Sequence, residues 1–146
     1  MNKTTKHTKE SILEVVKFLC TRLKHSKGWF IGSSTSLMIY GIDIVPNDID
    51  LGVDINLIDE VKEIFSDYNI TRNEKGLDQF IVNNIVVELC VFPVDISKLN
   101  TVEIDGIAVY VNPLRDEYEF YKKREDKKEA NKEKIRMIEE LLSKSM

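Results

Sequence analysis

Trp29-Phe30-Ile31-Gly32-Ser33-Ser34-Thr35, followed by Asp48-Ile49-Asp50-Leu51-Gly52-Val53-Asp54-Ile55, are the two segments on which the fold turns. The first is a short apolar run that stops at glycine and passes into hydroxyl-bearing residues. Such residues open helices, because their side chains accept hydrogen bonds from the free amides of the first turn. Leu37-Met38-Ile39-Tyr40 continues as an apolar segment closed by Gly41, so the pattern predicts strand, tight turn and short helix. In the second segment acids and aliphatics alternate with a period of two, the mark of a strand with one apolar face. Asp48 and Asp50 then project from the same side, roughly 7 Å apart by strand geometry.

Two carboxylates on one strand face can bridge metal ions. A pair of Mg²⁺ ions held by hard oxygen ligands can clamp the attacking and leaving oxygens of a phosphoryl displacement. An Asp-x-Asp pair alone is weak, since exposed strands often carry two acids. Here it follows Gly32-Ser33, where glycine lets an anion approach the backbone and Ser33, Ser34 and Thr35 supply hydroxyl donors, a setting suited to a triphosphate tail. Ordinary helix capping is an equally good local account of those hydroxyls. Glu88 is the third acid of interest, because every neighbour in Ile85-Val86-Val87-Glu88-Leu89-Cys90-Val91-Phe92 is apolar. A buried, unpaired carboxylate would cost several kcal/mol, so a metal, a basic partner or exposure at a strand edge must compensate it. Asp54 shares the face of Asp48 and Asp50 but is expected to lie past the site.

Outward from these segments, Ile12, Leu13, Val15, Val16, Leu19, Cys20 and Leu23 recur at helical spacing within 8–24 and Gly28 follows, predicting a first amphipathic helix. Asn56 is placed as the cap of a helix over 57–68. Short β-branched runs then predict strands at 70–73, 77–82, 85–92, 101–104 and 107–111, with Asn83-Asn84 and Asp105-Gly106 as tight hairpin turns. From Pro113 onward the chain reads as charged helix, one bent or two consecutive. The expected class is α/β (α+β): a mixed sheet flanked by helices, one domain over 1–146, with its core at about 29–112 and a C-terminal helical segment at about 113–146.

A hydrophobic content of 42% with 32% charged residues suits a soluble globular chain, and no apolar run reaches the ~18 residues of a membrane span. Met1 to Glu10 is polar and Lys-bearing, without the apolar core of a secretory signal, so a cytoplasmic address is expected. Cys20 and Cys90 lack any metal-ligand spacing and read as buried thiols. The net charge of −4 is unevenly spread: residues 29–114 hold 14 acids against four Lys/Arg, whereas 115–146 hold ten Lys/Arg against nine acids. Such an acidic middle repels polyanions unless cations intervene, which argues against sequence-specific DNA binding. His7 and His25 read as surface residues, Arg72 and Lys75 as loop charges, and Trp29 and Tyr40 as core.

The segments from Trp29 to Phe92 resemble the DNA polymerase β-type nucleotidyltransferases, whose pattern is an apolar strand, Gly-Ser or Gly-Gly, a short helix, then Asp-apolar-Asp-apolar. The likeness is greatest to small prokaryotic members: minimal nucleotidyltransferases, antibiotic nucleotidyltransferases and transferase components of toxin–antitoxin systems. That resemblance implies a polymerase β-like fold, with Asp48, Asp50 and Glu88 as catalytic metal ligands for two Mg²⁺ ions and Gly32, Ser33 and Ser34 at the phosphates of a nucleoside triphosphate such as ATP. It also implies transfer of a nucleoside monophosphate to an acceptor hydroxyl, with release of pyrophosphate. The acceptor stays open among a small molecule, a protein and an RNA end, and no membrane partner is expected. Tyr121-Lys122-Lys123-Arg124-Glu125-Asp126-Lys127 has the flavour of the family's C-terminal helix; Lys123, Arg124 and Lys127 either grip phosphate or form a solvated helix face. The rival function is a non-catalytic nucleotide- or partner-binding protein, antitoxin-like, on the same fold.

Overall fold

A computed structural model describes residues 7–144. The chain runs α1 (Lys9–Arg22), β1 (Trp29–Gly32), α2 (Ser33–Ile39), β2 (Asp48–Asp54), α3 (Ile58–Ile64), β3 (Thr71–Arg72), β4 (Asp78–Val82), β5 (Ile85–Phe92), β6 (Asn100–Ile104), β7 (Ile107–Val111), α4 (Leu114–Lys122) and α5 (Glu129–Lys144). A 3₁₀ turn at Ile96–Lys98, absent from the sequence reading, precedes β6. The strands form one mixed sheet in the order β3-β4-β5-β2-β1-β7-β6, as expected for the α/β class. β2 lies at its centre, antiparallel to β1 and parallel to β5. None of the helices among the described residues is long and apolar enough to cross a membrane.

The period of two in β2 has the predicted effect. Ile49, Leu51 and Val53 are fully buried in the core on one face, beneath α1 residues Ile12, Val15, Val16 and Leu19, while Asp48 and Asp50 stand on the other. Thr8 caps α1 through a capping box with Ser11, which satisfies two amides that would otherwise lack partners. Trp29 is core, as read, with its indole N–H donating to the carbonyls of Leu23 and Ser26. Both hairpin turns form as predicted, with positive φ at Asn83 and Asn84 and at Asp105 and Gly106, the backbone that a two-residue turn between twisted strands demands.

Two expectations need correction. Asn56 does not cap α3: Leu57 holds that position without a side-chain bond, and the Asn56 amide donates to Asp54 Oδ2 at 2.9 Å. Asp54 also accepts from the Val94 amide at 2.9 Å, so this carboxylate is consumed in fastening two loops. Cys90 is half-buried rather than buried, unlike Cys20. Of the two forms open to the C-terminal segment, the chain takes two consecutive helices, and no proline or glycine separates them. The break lets α5 fold back so that Ile135 and Ile138 join Leu37, Ile42 and Tyr121 in a second apolar cluster. Asn131 secures it from within, donating to the Arg124 carbonyl at 2.7 Å.

Candidate active site

Parallel pairing sets Asp50 directly opposite Glu88, and antiparallel pairing sets Gly32 opposite Asp50. The two strands and the turn after β1 therefore deliver their polar groups to one place. Among the described residues, Asp48, Asp50 and Glu88 each place a carboxylate oxygen such that all three lie within 4.8 Å of one another. Like charges so close raise one another's proton affinity. Burial, and next the charge of Asp48, push Asp50 up to about 6; burial and then Glu88 raise Asp48. Asp50 Oδ1 is buried without a hydrogen-bond partner among the described residues, a costly state for a carboxylate oxygen and one that a hard cation would relieve. The donor set, three carboxylates on adjacent strands, suits Mg²⁺ chemically.

Glu88 is 6% exposed and is compensated within the chain. Asn73 Nδ2 donates to Oε2 at 2.8 Å, and Lys75 Nζ lies 2.9 Å from Oε2 and 3.1 Å from Oε1. Lys75 thus belongs to the site and is not the loop charge expected, whereas Arg72 pairs with Asp78 away from it.

The turn after β1 joins strand and short helix as the pattern predicts, with its left-handed residue one position past the glycine. Gly32 is extended, and the positive φ of +54° falls on Ser33, a backbone that a residue with a Cβ adopts only under constraint. The constraint is visible: Ser36 Oγ donates to the Ser33 carbonyl at 2.7 Å, and Thr35 Oγ1 donates to the Asp48 carbonyl at 3.2 Å, tying α2 to β2. Behind the turn, Glu117 is 3% exposed and faces the Ser36 hydroxyl and the Ser33 amide; its burial pushes it up to about 7.

Ser33, Ser34, Asp48, Asp50, Lys75 and Glu88 line a cleft of about 570 Å³ whose other wall is Phe120, Tyr121, Arg124, Lys127, Lys128, Asn131 and Lys134. Gly32 lies outside this cleft and lines an adjoining recess. The Tyr121 hydroxyl faces Ser34 and Ser33, and burial pushes it up to about 12. Lys134 is lowered by burial and then by Lys128, and the Arg124 guanidinium lies 3.9 Å from the centre of the Phe120 ring. Of the cations left open in the sequence, Arg124 and Lys127 face the cleft and Lys123 does not line it. Lys128 and Lys134 carried no expectation from the sequence. Their signal was the spacing Tyr121, Arg124, Lys128, Asn131, Lys134, a stripe of threes and fours, obscured because the helix breaks within it.

No family model and no curated protein matches the sequence significantly. Solved structures do match in shape. A candidate nucleotidyltransferase of Thermotoga maritima is 24% identical, with a TM-score of 0.68 over 95% of this chain and 97% of that one. The antibiotic-resistance factor ANT(2'')-Ia in complex with adenylyl-2''-tobramycin is 13% identical, with a TM-score of 0.63 over 92% of this chain and 90% of its own. An antigenic nucleotidyltransferase-like protein of Paracoccidioides brasiliensis is 18% identical, with a TM-score of 0.64 over 88% and 75%. The chain therefore shares its fold with these nucleotidyltransferase structures.

Proposed function

We propose that this protein is a single-domain, Mg²⁺-dependent nucleotidyltransferase that moves a nucleoside monophosphate from a nucleoside triphosphate to an acceptor hydroxyl and releases pyrophosphate. The observation that carries it is the opposition of charge across one cleft. Three carboxylates with an unpartnered buried oxygen face Arg124, Lys127, Lys128 and Lys134. Acids alone would serve a cation and cations alone a polyanion; the two together suit a metal-bound polyphosphate. The shared fold supports the same class of reaction.

Asp48, Asp50 and Glu88 would hold Mg²⁺, two ions by the family resemblance, and the metal when bound would supply charge neutralisation for the transfer. Ser33 and Ser34 donate to the phosphates from the strained turn, and the cations of α4 and α5 balance the charge gathering on pyrophosphate. Glu88 draws the proton from the acceptor hydroxyl, while Lys75, its partner in the structure, keeps that carboxylate oriented.

Incubation with Mg²⁺ and nucleoside triphosphates labelled at the α-phosphate, in the presence of host lysate, should place label on an acceptor, with ATP among the donors tried. The Asp50→Asn variant should not transfer it. Transfer by that variant at the wild-type rate would remove the metal assignment, and triphosphate binding without any transfer would favour the non-catalytic binder instead.

A further inference from the structure

The sheet face that carries the acids continues past them into a second recess. Glu88, Cys90 and Phe92 alternate along one face of β5, with Gly52 opposite Cys90 on β2 and Phe30 opposite Gly52 on β1. Gly52 has no room for a side chain, because a Cβ there would lie 2.3 Å from the Phe30 ring. Phe30 lies flat over that glycine, with Phe92 edge-on to it at 5.8 Å between centroids and 78° between planes. The result is a slot of about 190 Å³ walled by Phe30, Cys90, Phe92 and Phe120, with Glu117 and Asn112 as its polar lining. It meets the charged cleft at Ser33, Asp50 and Phe120. Phe92 and Phe120 are 42% and 38% exposed, so the slot opens to solvent along its aromatic side.

We propose that this slot binds the acceptor of the transfer reaction, and that the acceptor is a small phenol-sized aromatic alcohol bearing a second hydrogen-bond donor. Size comes first: an apolar cavity of about 150 Å³ takes one benzene ring, so the slot of about 190 Å³ has room for a single substituted ring. Lining comes next. Three phenyl walls favour an aromatic ring by edge and face contacts, whereas a polyhydroxylated sugar would leave its hydroxyls without partners there. The donor requirement comes from Glu117. An ionised carboxylate has about four acceptor sites; Asn112 Nδ2 donates to one at 3.3 Å and the Ser33 amide faces another, while the Ser36 hydroxyl spends its proton on the Ser33 carbonyl. Acceptor capacity remains for a group on the ligand.

The proposal rests on the nucleotidyl transfer proposed above. In the step, the ring hydroxyl oxygen forms a bond to the α-phosphorus of the triphosphate. The bond from that phosphorus to the bridging oxygen breaks, its electron pair departs on pyrophosphate, and the hydroxyl proton passes to Glu88.

Titration calorimetry on the full chain, with 4-hydroxybenzylamine and 4-methylphenol as probes and glucose as the contrast, tests the slot without turnover. Both phenols should bind, the amine-bearing one more tightly, and glucose should not. Phe92→Ala, at a half-exposed position, should weaken phenol binding by about tenfold. Cys90→Met, which fills the slot, should abolish it, with triphosphate affinity and the far-UV spectrum unchanged in both. Glu117→Gln should remove the preference for the amine. With labelled triphosphate and Mg²⁺, the bound phenol should acquire label. Absent phenol binding, or binding indifferent to Phe92→Ala and Cys90→Met, overturns the slot assignment and leaves the transfer reaction standing. Phenol binding that responds to those variants but never yields a labelled phenol, while another acceptor takes the label, overturns the acceptor assignment. Slot binding with no transfer to anything overturns the transfer reaction itself.

Discussion

Replacing Asp50 by asparagine should make the metal-free protein more stable while removing its response to Mg²⁺ and triphosphate. The Asp50 carboxyl rises from 3.8 to about 6 in the fold, through burial first and the neighbouring Asp48 second. A folded-state value above the unfolded one means that the fold binds this proton more tightly. The stability so gained is complete below about pH 4 and lost as pH climbs through about 6. At pH ~7.5 the ionised wild-type side chain therefore carries a penalty of the order of 2–3 kcal/mol, which an amide of the same shape avoids. For a chain of this size that is worth roughly 5–10 °C in Tm. Urea unfolding in chelator at pH ~7.5 and again at pH ~4 measures it: the variant should gain midpoint at the higher pH and lose the advantage at the lower. Adding Mg²⁺ with triphosphate should then raise the wild-type midpoint and leave the variant in place. An asparagine variant less stable than wild type in chelator at pH ~7.5, or one stabilised equally by Mg²⁺ and triphosphate, would refute the idea that these carboxylates are held together for a cation.

Other outcomes follow from the same geometry. Gly52→Ala forces a Cβ to 2.3 Å from the Phe30 ring and should cost about 1–3 kcal/mol by overpacking, read as a lower thermal midpoint; an unchanged midpoint would mean that Phe30 moves freely. Glu117 is raised by burial from 4.5 to about 7, so its contribution is full below about pH 4.5 and lost as pH rises through about 7. Glu117→Gln should flatten the fall in stability between pH ~5 and ~8 by about 2 kcal/mol, and a pH profile parallel to wild type would contradict this. Lys134→Met removes a half-buried cation from the cleft wall and should weaken triphosphate binding by about tenfold while making it less sensitive to salt, as calorimetry at two ionic strengths would register.

The strands and the first helix were legible because their signals are local. Alternation placed Asp48 and Asp50 on one face, and an acid amid aliphatics marked Glu88, though its pairing opposite Asp50 is a matter of strand order that no local pattern contains. The turn was legible as a turn, but that Ser33 bears its positive φ was not, since the tertiary bonds from Ser36 and the packing of Glu117 decide which residue bears it. The cationic wall was the least legible. Ten Lys/Arg in the last 32 residues gave no hint of which face the sheet, because that depends on a helix break without proline or glycine and on the Asn131 bond that follows it. Lys75 escaped for a similar reason: a loop residue three positions past β3 reaches the site only because β4 turns back beside β5.

The parallel ladder between β2 and β5 has one more consequence. Backbone hydrogen bonds, repeated along seven paired positions from Asp48 with Val86 to Asp54 with Phe92, fix the spacing of the carboxylates as rigidly as a lattice fixes its rows. The opposite wall is held to the sheet by side-chain packing of Leu37, Tyr121, Ile135 and Ile138, which tolerates exchange. The molecule is thus divided into an invariant jaw and an adjustable one, and changes among residues 120–134 can retune what enters without moving the atoms around which any metal chemistry is organised.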